Sequence, residues 1–222
     1  MKYLLHIDTA TDSGTVALAG DGNILSLRTN TESRNHAATI NTMIEAVLAE
    51  ANCSLKDIDA IAVCGGPGSY TGLRIGMATA KGLCYALDKP LIMADRLSLL
   101  AYNAWKKDGK QHTRYITLIR AREKEYFVAV YDVDFNNIVA PHHIVEDQLP
   151  ALIEKTESTY IITDEQETMT NSLEISKLKI DNNTLVDYSS WALYAFDQFI
   201  SNKSSNLASA EPFYLKQVYT HK

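Results

Sequence analysis

The sequence predicts an α/β protein of two related lobes, the first on a mixed sheet of the five-stranded type and the second an abbreviated version of it. Three observations predict this class. Two consecutive hairpins open the chain across residues 3–28. A short apolar strand at 60–64 runs through a glycine-rich loop directly into a helix ending near 87. The order of strands, hairpin and helix then returns after residue 113.

Residues 3–7 are apolar enough for a strand buried on both faces. A turn rich in Thr, Asp and Ser follows at 8–14, then a strand at 15–19. Gly20-Asp21-Gly22-Asn23 is a hairpin signal leading to a strand at 24–28. The polar stretch 31–35 caps a helix over 36–52, whose stripe Ile40, Ile44, Val47, Leu48 and Ala51 repeats at helical spacing. His36 opens this helix, where a capping or interface role fits better than metal ligation because no second ligand stands nearby.

The loop Gly65-Gly66-Pro67-Gly68-Ser69-Tyr70-Thr71-Gly72 joins the strand at 60–64 to a helix over 73–87, with Ser69 or Thr71 as its cap. That helix is apolar all round, with Arg74 and Lys81 its only charges. Gly72, Gly76 and Ala80 form a small-residue stripe that admits another helix or a sheet. A helix of this kind has to be covered on every side. The expectation is that another chain covers the remainder, the alternative being the second lobe.

Asp88-Lys89-Pro90 stops the helix, a strand follows at 91–94, and a further helix at 97–106. The charged, glycine-containing stretch 107–113 is the expected boundary, giving lobes of 1–106 and 107–205, with 206–222 docking back on the first. The second lobe reads as strands at 115–119, 126–132 and 138–145, a short helix at 147–154, a strand at 160–163 and an amphipathic helix at 190–200 carrying Trp191, Ala195 and Phe199 on one face.

With 222 residues, 46% of them hydrophobic and 22% charged, the chain has material for a globular core. Its net charge of −6 opposes a stand-alone nucleic-acid binder, which needs a basic face. Three cysteines without C-x-x-C spacing indicate neither a disulfide framework nor a zinc knuckle. The opening apolar run is interrupted by His6 and Asp8, unlike a signal peptide, and no stretch approaches the roughly 20 apolar residues of a membrane span, so a cytoplasmic protein is expected.

A strand, glycine turn and helix start is anion-binding geometry. The spacing matches neither a Walker A loop, since Gly72 is followed by Leu73 and Arg74, nor the dinucleotide pattern, since Thr71 stands at its third glycine. Two readings stay open for this loop: a phosphate site using Gly66, Gly68 and Ser69, or a tight turn that packs the helix on the sheet. None of Ser69, Ser98 or Cys84 sits in a nucleophile elbow.

The run Gly66-Pro67-Gly68-Ser69-Tyr70-Thr71-Gly72-Leu73-Arg74-Ile75-Gly76 resembles the signature of the TsaB (YeaZ) family, bacterial partner proteins in tRNA threonylcarbamoyladenosine synthesis. Ile7-Asp8-Thr9-Ala10-Thr11, Arg34-Asn35-His36, Ala121-Arg122 and Glu211-Pro212-Phe213-Tyr214-Leu215-Lys216 fall in the expected order, so the resemblance spans the chain, strongly to about Leu100 and thinly beyond. The two opening hairpins with an Asp-Thr turn resemble the actin-like (ASKHA, ribonuclease H-like) fold of actin, sugar kinases and Hsp70. There the first turn approaches nucleotide phosphates or metal, so the resemblance implies that Asp8 and Thr9 join Gly66, Gly68 and Ser69 at a phosphate site; otherwise Asp8 closes an Asx turn on its own backbone.

The resemblance implies a non-catalytic subunit that pairs with its paralogue TsaD through the helices at 36–52 and 72–87 and activates it. His36, Ile40, Met43, Ile44, Val47, Gly72, Arg74, Ile75, Gly76, Thr79, Ala80 and Leu83 would form that interface. It further implies a TsaE-type ATPase in the assembly, tRNA reached only indirectly, a homodimer in isolation, and no cofactor of its own, with ATP or ADP at the interface of the complex. TsaD holds a metal through an His-x-x-x-His pair; Arg96 and Leu100 stand there in this chain, and neither side chain ligates a metal. Arg120 replaces the Asp of the usual Asp-Ala-Arg at the second turn, and 161–166 lacks the glycines of an adenosine loop. The alternatives are an ATP-hydrolysing enzyme of the actin fold using Asp8 and the Gly66–Gly68 loop, or a metallopeptidase-like glycoprotease homologue.

Overall fold

A computed structural model describes residues 1–32, 35–152, 158–165 and 178–214. Arg34, Leu215 and Lys216 of the family-like segments, and parts of the stretches 147–154, 161–166 and 210–219, lie outside the described residues. The chain divides into two compact units. One comprises Met1–Arg96 and Tyr188–Tyr214; the other contains Leu97–Asp187.

In the first unit, β1 (Tyr3–Asp8), β2 (Gly14–Gly20) and β3 (Asn23–Asn30) form a meander. α1 (His36–Glu50) leads to β4 (Ile58–Cys64), and α2 (Tyr70–Leu87) leads to β5 (Leu91–Ala94). The sheet order is β3-β2-β1-β4-β5, with β1 antiparallel to β2 and parallel to β4, and β4 parallel to β5. β1 is covered on both faces, as its apolar run predicts. Leu5 and Ile7 join Ile40, Ile44, Val47, Met77 and Ala80 in one core. The alternate residues His6 and Asp8 point the other way, where Trp191 and Tyr188 meet them.

The second unit opens with α3 (Arg96–Asp108) and repeats the same strand plan. β6 (Arg114–Arg122), β7 (Glu125–Asp132) and β8 (Asn137–Val145) are antiparallel neighbours. β9 (Thr159–Thr163) and β10 (Leu178–Asp181) add in parallel, giving the order β10-β9-β6-β7-β8. This sheet therefore has as many strands as the first, so its expected abbreviation does not lie there. β10, four residues without a clear alternating pattern, was not anticipated.

Four stretches differ from expectation. Residues 97–106 belong with the second unit, because Leu97, Leu100, Ala101 and Ala104 of α3 pack against Tyr115, Ile119 and Tyr160. The stretch 107–113 is a tight turn rather than a linker, with Gly109 and Lys110 in the left-handed region. The helix expected at 190–200 runs as α5 (Tyr188–Ile200) and returns to the first unit, burying Trp191, Ala192 and Ala195. The short helix expected at 147–154 resolves into a 3-10 turn at Glu146–Gln148 and α4 (Leu149–Leu152). After α5, Ser205 bridges to Leu91 at the β5 edge, and the Phe213 amide donates to the Gly65 carbonyl at 2.8 Å. No helix among the described residues is long and apolar enough to cross a membrane.

Candidate functional site

The β1–β2 turn and the glycine loop close on each other. Asp8 Oδ1 accepts the Ala10 amide at 2.9 Å, an Asx turn, and Oδ2 accepts the Tyr188 hydroxyl at 3.2 Å. Burial raises the Asp8 pKa above its ordinary value, and burial also pushes the neighbouring Cys64 thiol well up. The Thr9 hydroxyl donates to the Gly72 carbonyl at 2.7 Å. The Ser69 amide donates to the Ala10 carbonyl at 2.7 Å, and Gly68 lies directly against that carbonyl. The Gly66 carbonyl accepts the Arg96 amide at 2.6 Å, and the Gly65 amide reaches the Ala94 carbonyl at 2.8 Å. Of the two candidate caps, Ser69 is the one used: its hydroxyl accepts the Gly72 amide at 3.2 Å. The bonds formed by Asp8, Thr9, Gly66 and Ser69 are therefore those of a tight junction between turn, loop and helix.

Beside this junction lies a cleft of about 450 Å³ lined by Thr11, Asp12, His36, Ser69, Thr71, Gly72 and Ile75. His36 does not cap α1. Its Nε2 is hydrogen-bonded to the Thr11 carbonyl at 3.0 Å; a carbonyl only accepts, so Nε2 carries the proton. Its Nδ1 is buried beside Gly14 without a partner among the described residues. The imidazole thus ties the start of α1 to the β1–β2 turn. Thr11 and Asp12 were not singled out from sequence, because they reach the α2 start only through the folding of a turn some 60 residues away in the chain.

The residues expected at a partner interface divide by burial. Ile40, Ile44, Val47 and Ala80 are inside the first unit's core, and His36 is buried as well. Gly72 and Gly76 face Thr9 and the end of β1, so the stripe they form with Ala80 lets this chain's own sheet approach the helix closely. Met43, Ile75, Thr79 and Leu83 are half-buried, and Arg74 is exposed. The outward face of α2 carries Arg74, Ala78, Gly82, Tyr85 and Ala86, with Tyr85 85% exposed and open space beside Gly82. The expectation of a helix apolar on every side is corrected: its most apolar positions are covered within the unit, and its free face is made of small residues with a tyrosine and an arginine. Ala78, Gly82 and Tyr85 follow Arg74 at steps of three and four, a spacing readable in the sequence but masked by the more conspicuous glycine stripe.

At the second turn, Arg120 Nη1 pairs with Glu165 Oε1 at 2.9 Å, and the Arg120 amide donates to Asp164 Oδ1 at 2.9 Å. Arg96 opens α3 and Leu100 is buried. Among the described residues, no three His, Cys, Asp or Glu side chains gather as metal ligands.

A family model described as "TsaD: tRNA N6-adenosine threonylcarbamoyltransferase" matches residues 24–180. The chain is 39% identical over 135 residues to the tRNA threonylcarbamoyladenosine biosynthesis protein TsaB of Escherichia coli (strain K12), covering 61% of this chain and 57% of that protein. It spans about half to three fifths of the length of the curated TsaB relatives it matches. The solved structure of YeaZ from Pseudomonas aeruginosa superposes with a TM-score of 0.78 at 24% identity, covering 97% of this chain and 100% of that one. The Lmo2764 protein of Listeria monocytogenes gives 0.56 at 12% identity, over 89% and 99% of the two chains. These structural likenesses establish the doubled actin-like fold. The chain therefore belongs to the family that the TsaD model describes, and within it to the TsaB (YeaZ) group, paralogous to TsaD, of tRNA threonylcarbamoyladenosine biosynthesis.

Proposed function

We propose that this chain is a non-catalytic subunit that docks on a TsaD-type enzyme and activates it, so that the enzyme forms the threonylcarbamoyl modification of adenosine next to the tRNA anticodon. The observation that carries the reading is the outward face of α2. Gly82 and its neighbours Ala78 and Ala86 leave room for close approach of a partner helix, and Tyr85 stands 85% exposed beside them. Half-buried Ile75, Thr79 and Leu83 of the same helix flank that face, and half-buried Met43 of α1 is assigned to the interface with them. Arg96 and Leu100 in place of the metal-holding histidines, and Arg120 in place of an aspartate, support assigning the chemistry to the partner. The net charge of −6 supports leaving tRNA contact to the partner as well. A TsaE-type ATPase joins the same assembly in the cytoplasm, with ATP or ADP at the subunit junction. Without its partner, the chain pairs with a second copy through the same face.

The test is to mix the purified chain with the TsaD protein of the same organism, measure the mass of the complex by light scattering, and assay threonylcarbamoyl transfer to tRNA. A heteromeric complex, and transfer that requires this chain, are expected. Gly82→Leu places a branched side chain on the open face and is expected to abolish both without unfolding the chain. A monomer indifferent to TsaD, or a lone chain that turns over ATP in a manner lost in Asp8→Ala, overturns the reading.

A further inference from the structure

α2 contains two cations, Arg74 and Lys81, and no acidic residue, in a chain whose net charge is −6. Lys81 is engaged within the molecule, its Nζ donating to the Ala210 carbonyl at 3.0 Å. Arg74 is different. Its guanidinium lies over the Tyr70 ring at 4.0 Å, its Nε donates to the Tyr214 hydroxyl at 3.2 Å, and the two tyrosine rings are 5.2 Å apart. Tyr70 belongs to the first turn of α2. Tyr214 belongs to the terminal segment, which is pinned by the Phe213 amide on the Gly65 carbonyl and by the Phe213 ring against Gly65. Two segments 140 residues apart in the chain thus hold one exposed arginine in place. Nη1 and Nη2 have no partner among the described residues.

An unclamped arginine gives up rotamer freedom when it binds, and a planar fork matches a carboxylate with two parallel bonds. Here the ordering is already done in the free chain. We infer that Arg74 is the specificity anchor of the proposed interface, a preset two-pronged donor for a carboxylate on the docking subunit; this rests on the docking reading above. A protein carboxylate is favoured over a free phosphate for two reasons. Arg74 is continuous with the small-residue face through Ala78 and Gly82. The neighbouring cleft carries the Asp12 carboxylate, which opposes a dianion.

The experiment titrates the TsaD protein of the same organism into the chain by calorimetry at low and moderate salt, for the wild type and for Arg74→Met, Arg74→Lys, Tyr214→Phe and Gly82→Leu. Urea midpoints confirm that each variant is folded. Arg74→Met is expected to weaken binding by about 10- to 100-fold, as loss of an arginine anchor does, and to flatten the salt dependence. Arg74→Lys keeps the charge and loses the fork, so it is expected to recover only part of the affinity. Tyr214→Phe leaves the ring against Tyr70, removes the hydroxyl acceptor, and is expected to weaken binding several-fold, on the order of one lost charge-assisted bond. If Gly82→Leu abolishes binding while Arg74→Met stays within about twofold of wild type, the anchor is overturned and the docking face stands. If neither substitution changes binding, the docking face itself fails and the anchor with it. Inorganic phosphate that binds the free chain through Arg74, with TsaD affinity unaltered by Arg74→Met, assigns the arginine to a free anion and also overturns the proposal.

Discussion

Thr9 and Gly72 are locked together: the Thr9 hydroxyl donates to the Gly72 carbonyl at 2.7 Å, and any Cβ on Gly72 would overlap the Thr9 carbonyl. One turn further along α2, a Cβ on Gly76 would run into Thr9 Oγ1. The glycines of the signature thus let the helix sit directly on the end of β1, where larger residues would hold it off.

Gly76→Ala should therefore destabilise the chain. Alanine gains about 1 kcal/mol of helix propensity over glycine, but overpacking a fitted contact costs about 1–3 kcal/mol. Gly72→Ala should cost more, since it meets backbone. Urea midpoints check both, and a more stable Gly76→Ala would show that the Thr9 side chain gives way.

Gly82 supplies the contrast on the same helix. Among the described residues nothing lies near its Cβ direction, so Gly82→Ala should stabilise the free chain by about 0.5–1 kcal/mol. A loss of stability in the same urea assay would contradict the open geometry.

His6 gives the fold an acid limit. Its Nδ1 is hydrogen-bonded to the Leu4 carbonyl at 3.1 Å, Nε2 has no partner among the described residues, and the Trp191 ring meets it edge-on at 5.0 Å. Burial lowers its pKa from 6.5 to about 4. At this site the unfolded chain then binds more protons between those values, so the His6 contribution is level above pH 6.5 and falls as pH drops towards 4, by about 3 kcal/mol in all. His6→Phe should flatten that fall in urea titrations at pH 4.5–7.5, whereas a parallel profile would exclude His6 as its source.

Asp8 acts in the opposite sense. Its raised pKa means that the folded form holds its proton to higher pH, so this group lowers stability as pH rises through the folded value. Asp8→Asn keeps an oxygen for the Ala10 amide and removes the buried charge. It should raise stability at pH 7 relative to wild type and leave it nearly unchanged under acid, as followed by the same titration.

Asp108 holds the α3–β6 turn. It accepts the His112 amide at 3.0 Å, His112 Nδ1 at 2.9 Å and the Tyr115 hydroxyl at 2.8 Å, and these bonds hold its pKa below the usual carboxylate value against desolvation. Its contribution is therefore present above pH 3.8 and lost as pH falls through the lowered value. Asp108→Ala should cost about 1–3 kcal/mol at pH 7, because it orphans the buried Tyr115 hydroxyl; thermal unfolding reads this directly.

Strand and helix identities were legible wherever local pattern and burial agree. Tyr3–Asp8 is apolar because both faces are covered, and α1 shows its stripe because one side packs on the sheet. Two things were not legible. The helix at 190–200 gives no sign that Trp191 will seat against His6, and the turn at 107–113 has the composition of a linker while acting as a corner held by Asp108. The candidate site was half legible. Ser69 as cap and His36 as a helix-start residue follow from spacing, but the cleft they share with Thr11 and Asp12 arises from contact between distant segments.

The sequence by itself determined the class of fold, the family and the loop on which both depend, because periodicity, glycine placement and motif are local properties of the chain. Only the tertiary structure decided which side of α2 is free. Both of its small-residue stripes look alike in one dimension, and it is the carbonyl and hydroxyl of Thr9, brought up by β1, that fill one and leave Ala78 and Gly82 facing outward.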